Sequence, residues 1–370
     1  MANKNPSEFY RGKRKKTGPA LILSIIVLSV IAFVVLLFYG LQKYIVITND
    51  DIRLEIPLLT GQTAAQSQEG EDGAAVKEFE KVDAELIVGE PDYSNIKATA
   101  GEKLTAMKAV YVPAQYVSSS LIDTYSGGVT DGNALVLELK TASGMLVWDS
   151  DVDFARGYGT SGTVDLKSIV SALKEKNIYL AAKLCCFVDN TVSSRYADST
   201  LKKITGEAFT DASGVWIDPY NSSYRAYIKG LCKELSAMGF DEIILSDMKM
   251  PYADGVQFVY TGTSAAEPGP VTAMSGFALE ITRSMKAVPA KISVQLAGES
   301  VLNGGESTSG QNPDLLYKIF DRVYVSTDAE NAKSIVESGK KFVLSGEPEL
   351  RTVPMCYGTA PDTSCTVLIN

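Results

Sequence analysis

Short apolar runs alternate with amphipathic stripes from about Lys97 to the end of the chain. The runs have the length of buried strands, and each is bounded by polar or turn-forming residues. We predict eight strands, which in chain order are Ala109–Val112, Ala134–Leu139, Ile178–Phe187, Ile243–Leu245, Lys291–Leu296, Arg322–Ser326, Lys341–Ser345 and Cys365–Ile369.

Helices are predicted in most of the gaps between those strands, where apolar residues recur every three to four positions. Asp165 is placed to cap a helix whose apolar face runs from Leu166 to Leu173. A second clear stripe runs from Tyr224 to Leu235, and Gly239 is expected to end that helix. Further helices are predicted at Ser118–Tyr125, Phe277–Met285, Asp314–Phe320 and Ala332–Val336.

Eight strands separated by helices over residues 97–370 predict an α/β fold. The count and length fit one (β/α)8 TIM-like barrel with right-handed connections. An open doubly wound sheet is the alternative, and it usually carries a glycine-rich phosphate loop after an early strand. The sequence has no such loop, which favours the barrel.

Residues 19–41 are 23 residues without a charged side chain. At about 1.5 Å per residue a helix of this length spans the hydrocarbon core of a membrane. The preceding segment is basic, which keeps the N-terminus in the cytoplasm. Because no small-residue cleavage pattern follows, we predict a signal anchor rather than a cleaved signal peptide.

The predicted anchor divides the chain into four parts. Residues 1–18 form a basic cytoplasmic tail, and residues 42–96 form a juxtamembrane segment and stalk. The stalk is expected to be flexible because residues 61–78 are rich in Gly, Ala, Gln and Glu, with little to bury. The barrel, residues 97–370, is then extracytoplasmic on a single-pass protein of the cell membrane.

Charge and histidine content exclude several function classes. The first 16 residues carry +5, so the rest of the chain carries −14, since the whole carries −9. An acidic domain of this kind is a poor nucleic-acid partner. The chain has no histidine, which excludes Ser-His-Asp and Cys-His nucleophile systems and His-containing metal sites.

The five cysteines show no C-x-x-C pair, so a zinc or redox motif is not indicated. We expect free thiols, with a Cys356–Cys365 disulfide as the alternative. Cys185 is predicted to face the barrel interior and Cys186 the helices, both as buried small side chains.

Two polar stretches follow predicted strands, where barrel enzymes keep their chemistry. Residues 239–251 read G-F-D-E-I-I-L-S-D-M-K-M-P and place Asp247 and Lys249 beyond a buried strand. Residues 216–220 read W-I-D-P-Y, with a carboxylate between two aromatic rings that could face a sugar. The alternative for this second stretch is an Asp-Pro turn with Trp216 in the core.

Five segments together resemble the bacterial family known as the "putative glycosyl hydrolase domain", a barrel family related to the glycoside hydrolases. The resemblance implies a barrel and a role with polysaccharide. The segments are A-V-Y-V-P-A at Ala109–Ala114, L-V-L-E-L-K at Leu135–Lys140 with Gly144, the run Ile178–Asp189 leading to W-I-D-P-Y at Trp216–Tyr220, G-F-D-E-I at Gly239–Ile243 with Pro251, and I-S-V-Q-L-A-G at Ile292–Gly298.

The chain departs from that family at several strand ends. The family motif resembles F-D-E-I-x-F-D-Y-I-R-F-P, and its carboxylate position is Ser246 here. Gln295 stands at the aspartate of a motif similar to S-A-D-x-F-G, Lys183 replaces an arginine, and Glu138 replaces an aspartate. Asp247 lies one residue out of register, which in a continuous strand turns its side chain away from the barrel interior.

Glycoside hydrolysis usually needs two carboxyl groups, roughly 5–10 Å apart. The candidate catalytic acids are Glu138, Asp218 and Asp247. Neither a metal nor a cofactor is expected. The candidate substrate-binding residues are Tyr111, Lys140, Lys183, Asp189, Trp216, Tyr220, Lys249, Gln295 and Glu299.

Two functions remain open from the sequence. The first is a membrane-anchored glycoside hydrolase that acts on envelope or extracellular polysaccharide with rearranged carboxylates. The second is a non-catalytic barrel that binds glycan or organises partners after losing its catalytic pair.

Overall fold

The computed structural model describes residues 45–48, 51–54, 104–124, 134–262, 269–304 and 308–369. The chain divides into two compact units, residues 1–86 and 87–370. The predicted cytoplasmic tail, the anchor at 19–41 and most of the stalk lie outside the described residues. Within the described parts of the chain, every helix is too short or too polar to cross a membrane.

The first unit contains an antiparallel hairpin between Ile45–Thr48 and Asp51–Leu54, in which Ile45 pairs with Leu54. The backbone is extended there, and it folds back on itself.

The second unit contains a closed barrel of eight parallel strands. Consecutive strands are neighbours all the way round, and the last pairs with the first. The strands are β1 (Met107–Val112), β2 (Ala134–Lys140), β3 (Tyr179–Cys185), β4 (Glu242–Ser246), β5 (Lys291–Leu296), β6 (Val323–Thr327), β7 (Thr352–Tyr357) and β8 (Cys365–Ile369). The predicted TIM-like barrel is therefore confirmed.

One predicted strand, Lys341–Ser345, is wrong. Val343 donates its N–H to the Lys340 carbonyl in a turn, and Phe342 is buried because it stacks on Tyr317 with ring centroids 5.5 Å apart. The true seventh strand is β7, which contains Pro354. Proline cannot donate to a strand ladder and is rare in central strands, so this strand is not evident from the sequence.

Ten α-helices occur in the described part of the second unit. They are α1 (Ser120–Thr124), α2 (Asp153–Tyr158), α3 (Leu166–Glu175), α4 (Asn190–Arg195), α5 (Ser222–Met238), α6 (Pro270–Ser284), α7 (Gly298–Asn303), α8 (Pro313–Ile319), α9 (Ala332–Lys340) and α10 (Pro348–Arg351). Asp165 caps α3 by accepting the N–H of Ser168, and Gly239 ends α5 with a left-handed φ of 108°. Both helix limits were predicted from these residues.

The long loops that follow β3 and β4 are joined by a small ladder. Lys202–Lys203 pairs antiparallel with Phe258–Val259, and a second short hairpin joins Thr210–Asp211 to Gly214–Val215. Two 3-10 turns, Ala114–Tyr116 and Ala197–Ser199, lie in the loops after β1 and β3. These loops form the surface around the carboxyl end of the barrel.

A buried ion pair fills the barrel interior near the amino ends of its strands. Glu242 of β4 and Arg322, just before β6, are 2.6 Å apart and almost completely inaccessible to solvent. Tyr179 and Tyr324 each donate a hydroxyl to Glu242, at 2.7 and 2.9 Å, and Ser293 donates a third. Burial, and then the Glu242 charge, raise the pKa of Tyr324 well above its usual value, so this hydroxyl remains a donor.

The G-F-D-E-I segment is explained by these structural contacts. Phe240 is buried, and Asp241 accepts the N–H of Leu180 at 2.8 Å and an ion pair from Lys174 at 2.7 Å. Glu242 enters the barrel interior. The acidic residues of this segment therefore hold β4 in place and take no part in a surface site.

We expect Glu242→Gln to destabilise the fold by about 3–5 kcal/mol, because the Arg322 guanidinium would remain buried without its countercharge. Urea unfolding of the full chain can be followed by fluorescence, since both tryptophans, Trp148 and Trp216, are buried in this unit. The matched control is Asp362→Asn, whose side chain is 97% exposed in its pair with Lys333. Equal unfolding midpoints for the two variants would refute the role given to the buried pair.

Candidate active site

β2 and β3 bring an acid and a base together at the carboxyl end of the barrel. Glu138 and Lys183 stand opposite each other in the parallel register. Lys183 Nζ lies 3.1 Å from Glu138 Oε1, and the side chains are 13% and 17% exposed, respectively. The pair is therefore shielded but still open to a ligand.

Tyr111 of β1 completes this arrangement. Lys183 Nζ lies 5.6 Å from the centre of the Tyr111 ring, and the Tyr111 hydroxyl lies within electrostatic reach of the Glu138 carboxylate. Burial, followed by the Glu138 carboxylate, raises the pKa of Tyr111 above its usual value. The hydroxyl is thus held protonated as a donor beside Glu138.

Asp247 joins the same region through an unusual backbone conformation. Ile244 packs in the hydrophobic core inside the barrel. Because side chains alternate between the two faces of a strand, Ser246 also points inward and Asp247 would be expected to point outward. Asp247 instead has a φ of 50°, in the left-handed region. Its carbonyl accepts the N–H of Phe187 at 3.3 Å, which helps to hold this turn.

The Asp247 carboxylate lies within electrostatic reach of two groups at the carboxyl end of the barrel. Burial, and then the Asp247 charge, raise the pKa of the Cys185 thiol to about 12, and Asp247 also contributes to the raised pKa of Tyr111. We call Tyr111, Glu138, Lys183 and Asp247 the mouth cluster. The left-handed turn places the out-of-register carboxylate near this cluster, which no periodic pattern could predict.

Lys140 and Asp189 were predicted to bind substrate, but the structure buries both completely. Because the strand register shifts between Glu138 and Lys140, the Lys140 side chain does not point in the same direction as that of Glu138. Lys140 Nζ then lies 2.9 Å from Asp189 and 3.1 Å from the Tyr224 hydroxyl. A Cβ at Gly144 would lie 1.9 Å from Asp189, so this buried pair needs a glycine beside it.

The Lys140–Asp189 pair is therefore a structural contact. Burial alone would lower the pKa of Lys140, but the Asp189 charge raises it, so the ammonium stays charged. Asp189 also caps α4 by accepting the N–H of Val192 at 2.7 Å. Neither side chain is open to a substrate in this structure.

Asp218, predicted as a catalytic acid, is 1% exposed and holds two loops together. One oxygen accepts the N–H of Tyr220 at 2.9 Å. The other accepts the N–H groups of Thr261 and Gly262, at 2.7 and 3.0 Å, and the Thr261 hydroxyl at 3.1 Å. Four donors saturate the carboxylate, so the Asp-Pro turn is the better interpretation of this segment.

The two rings beside Asp218 also serve packing. Trp216 is 2% exposed and packs in the hydrophobic core, so the prediction that its ring faces a sugar is wrong. Tyr220 is half-buried; its hydroxyl donates to the Gly269 carbonyl at 3.1 Å, and its ring packs against Arg225 and Tyr260. The W-I-D-P-Y segment thus shapes the loop beneath the surface.

The remaining predicted residues lie around the carboxyl end of the barrel. Gln295 donates to the Ser326 hydroxyl at 2.8 Å, while its buried oxygen has no partner among the described residues. Lys249 is partly exposed. Glu299 is exposed and lines a cavity of about 450 Å³ between the loops after β5 and β6.

All five cysteines are free, as expected, and all are buried, which was predicted for Cys185 and Cys186 only. The Cys185 thiol donates to the Val188 carbonyl at 3.4 Å and lies within electrostatic reach of the Asp247 carboxylate. Among the described residues, the acidic and thiol side chains form no group of three or more that could hold a metal ion.

Sequence reasoning missed the exposed aromatic residues of this face. Tyr116 follows β1, Tyr252 follows β4, and Tyr357 is the last residue of β7; their exposures are 63%, 75% and 68%. An aromatic residue in the loop after a predicted strand was the signal that could have identified Tyr116 and Tyr252. Tyr357 lies in β7, which was not predicted, so the sequence offered no such signal for it.

Three solved structures are similar to this chain. A hypothetical protein from Ruminiclostridium thermocellum has 22% identity and a TM-score of 0.44, over 50% of this chain and 96% of that one. The PgaB (BpsB) glycoside hydrolase domain from Bordetella bronchiseptica has 15% identity and a TM-score of 0.49, over 68% and 84%. Aspergillus fumigatus Ega3, in complex with galactosamine, has 10% identity and a TM-score of 0.42, over 70% and 80%.

At these TM-scores the structural likenesses carry no argument about function. No curated protein matches the sequence. The sequence profile of the family described as "putative glycosyl hydrolase domain" matches residues 109–326, from β1 to β6 and more than half of the chain. The chain belongs to this family.

Proposed function

We propose that the barrel is a glycoside hydrolase that acts on a polysaccharide, with Glu138 and Asp247 as its two carboxyl groups. The observation that carries the proposal is the left-handed turn at Asp247. It brings a second carboxylate within electrostatic reach of Tyr111, on whose hydroxyl the Glu138 carboxylate also acts. Two carboxyl groups at one barrel mouth are the minimum that glycoside hydrolysis requires.

The surroundings of the two carboxyl groups suit different roles. Glu138 faces the Lys183 ammonium and the Tyr111 hydroxyl, which suits a group that acts as a carboxylate, attacking the anomeric carbon or activating water. Asp247 faces the Cys185 thiol. The remaining role in the reaction, proton transfer to the leaving sugar oxygen, is assigned to Asp247 as the second carboxyl group.

A non-catalytic glycan-binding barrel is the second candidate, and one feature favours it. The Glu138 carboxylate is already engaged by Lys183, and Ser246 and Gln295 stand where the family motifs carry acids. Such a barrel would bind glycan with the same mouth cluster and release no product.

We also propose that residues 19–41 anchor the protein in the cell membrane, with residues 97–370 outside the cytoplasm. The support is the uncharged 23-residue stretch and the basic segment before it. A polysaccharide of the envelope or the extracellular space would then be within reach of the barrel.

The first test assays the full chain against a panel of cell-wall and plant polysaccharides for reducing-end release and for co-sedimentation. We expect release to fall about 10²–10⁴-fold in Glu138→Gln and in Asp247→Asn, because each change removes a proton-transfer or carboxylate function. Asp254→Asn, an exposed acid in the loop after β4, is the matched control and should match the wild type.

Two outcomes would redirect this proposal. Wild-type activity in Asp247→Asn would contradict the role of the left-handed carboxylate. Co-sedimentation of the wild type without any release would support the glycan-binding barrel instead.

A second test separates Asp218 from the mouth cluster. In Asp218→Asn at least one N–H of the 261–262 loop loses its acceptor, at a typical cost of about 1–3 kcal/mol for a buried group. We expect a lower melting temperature and faster proteolysis in this loop, with unchanged release for each folded molecule. Lost release at an unchanged melting temperature would instead make Asp218 catalytic.

The membrane proposal predicts that the full chain sediments with membranes and that deletion of residues 19–41 makes it soluble. Protease added to intact cells from which any outer barrier has been removed should digest the barrel. A barrel that is digested only after cell lysis would contradict the extracytoplasmic placement.

A further inference from the structure

A cavity of about 380 Å³ opens beside the mouth cluster, in the loop after β1. Tyr111 belongs to both the cavity wall and the cluster. This volume lies within the roughly 300–1,000 Å³ range of small-molecule pockets. The polar and aromatic residues that line it are Tyr111, Gln115, Tyr116, Ser118, Ser120 and Thr124.

The cavity is lined with the groups that suit an uncharged sugar. Its described lining contains no charged side chain. Hydroxyl and amide groups can exchange hydrogen bonds with sugar hydroxyls, and the Tyr116 ring, 63% exposed, offers an apolar face. Exposed aromatic rings at a concave site are typical of binding anchors.

Core packing beneath the loop and a backbone hydrogen bond within it hold the lining of the cavity in place. Val117 and Leu121 are 3% and 4% exposed and pack in the outer core. The 3-10 turn at Ala114–Tyr116 is closed by the N–H of Val117 on the Ala114 carbonyl, at 3.2 Å. The Tyr116 side chain is therefore carried on an anchored turn next to the cluster.

We propose that this cavity is a saccharide subsite that holds one uncharged sugar ring against Tyr116, next to the ring on which Glu138 and Asp247 act. The inference rests on the proposed function and deepens it, because it assigns a substrate class. Polymers of neutral or N-acylated sugars fit the site. Polymers that carry a charge on every sugar would have to place that charge in a cavity without a countercharge.

Binding of defined oligosaccharides to the full chain tests the subsite without requiring turnover. The neutral probes are cellohexaose, laminarihexaose and chitohexaose, and the acidic probe is a galacturonic acid hexamer. Isothermal titration should show that at least one neutral probe binds. Tyr116→Ala should then weaken that binding about tenfold or more, as expected for the loss of an aromatic anchor.

Two control variants isolate the ring from the fold. Tyr116→Phe keeps the ring and should bind within about threefold of the wild type. Leu344→Ala removes a side chain that is 64% exposed before β7, at the opposite end of the barrel, and should leave binding unchanged. Melting curves of all variants report any loss of folding separately.

The outcomes separate the subsite from the proposed function. If a neutral probe binds the wild type and Tyr116→Ala equally, the subsite is refuted while the glycan function stands. Tyr116-dependent binding of the acidic probe in preference to the neutral ones also refutes it. If the wild type binds no glycan, of this set or of the polysaccharide panel, the proposed function fails and the subsite fails with it.

Discussion

The contact between Glu242 and Arg322, inside the barrel, connects more of the structure than any other side-chain interaction described above. Removing two charges from water costs several kcal/mol for each, and excellent geometry is needed to offset that cost. The geometry here includes hydroxyl donors from β3, β5 and β6 and a bond from Arg322 to the Leu350 carbonyl before β7. The strands are thus held together near their amino ends, and the carboxyl ends can carry groups that serve no structural need.

Asp247, just after β4, is one such group at the carboxyl end of the barrel. Non-glycine residues with a positive φ are uncommon, although aspartate is among the least disfavoured of them. Hydrogen bonds from Cys186 to the Ser246 carbonyl and from Phe187 to the Asp247 carbonyl hold the chain at this turn. Such conformations persist where the surroundings determine them, and they cluster at functional sites. The loss of the acid at position 246 is therefore compatible with a second carboxylate at the mouth.

The sequence was informative wherever a regular period decides the structure. The stripe Tyr224–Leu235 and the capping Asp165 predicted helices because local hydrogen bonding and one-sided burial define them. A repeating pattern of apolar residues cannot show where a single residue departs from regular backbone geometry. The shift beside Lys140 and the turn at Asp247 each reversed the direction of a side chain. β7 contains Pro354 and was not predicted, because proline is uncommon inside strands and only the tertiary structure shows that it is tolerated here.

The sequence could also not distinguish polar residues that build the fold from polar residues that face a ligand. Asp189 and Asp218 follow a strand and a strand-linked loop, as catalytic acids often do, yet buried donors saturate both. What separates them from Glu138 is burial: Asp189 and Asp218 are 0% and 1% exposed, whereas the Glu138 side chain is 17% exposed. That burial depends on loops distant in the chain, such as the loop of Thr261 for Asp218.

Chemical rescue tests the central claim, that Glu138 and Asp247 are the reacting carboxyl groups, most directly. Shortening of the polysaccharide would be measured by size separation for Glu138→Ala, Asp247→Ala and Asp218→Ala with and without sodium azide, a small anion that can replace a missing carboxylate. Size is measured because a product capped with azide has no new reducing end. The account predicts that azide restores shortening in one or both of the first two variants and forms a glycosyl azide detectable by mass spectrometry. Rescue of Asp218→Ala alone would contradict the account, as would full shortening by the first two variants without azide.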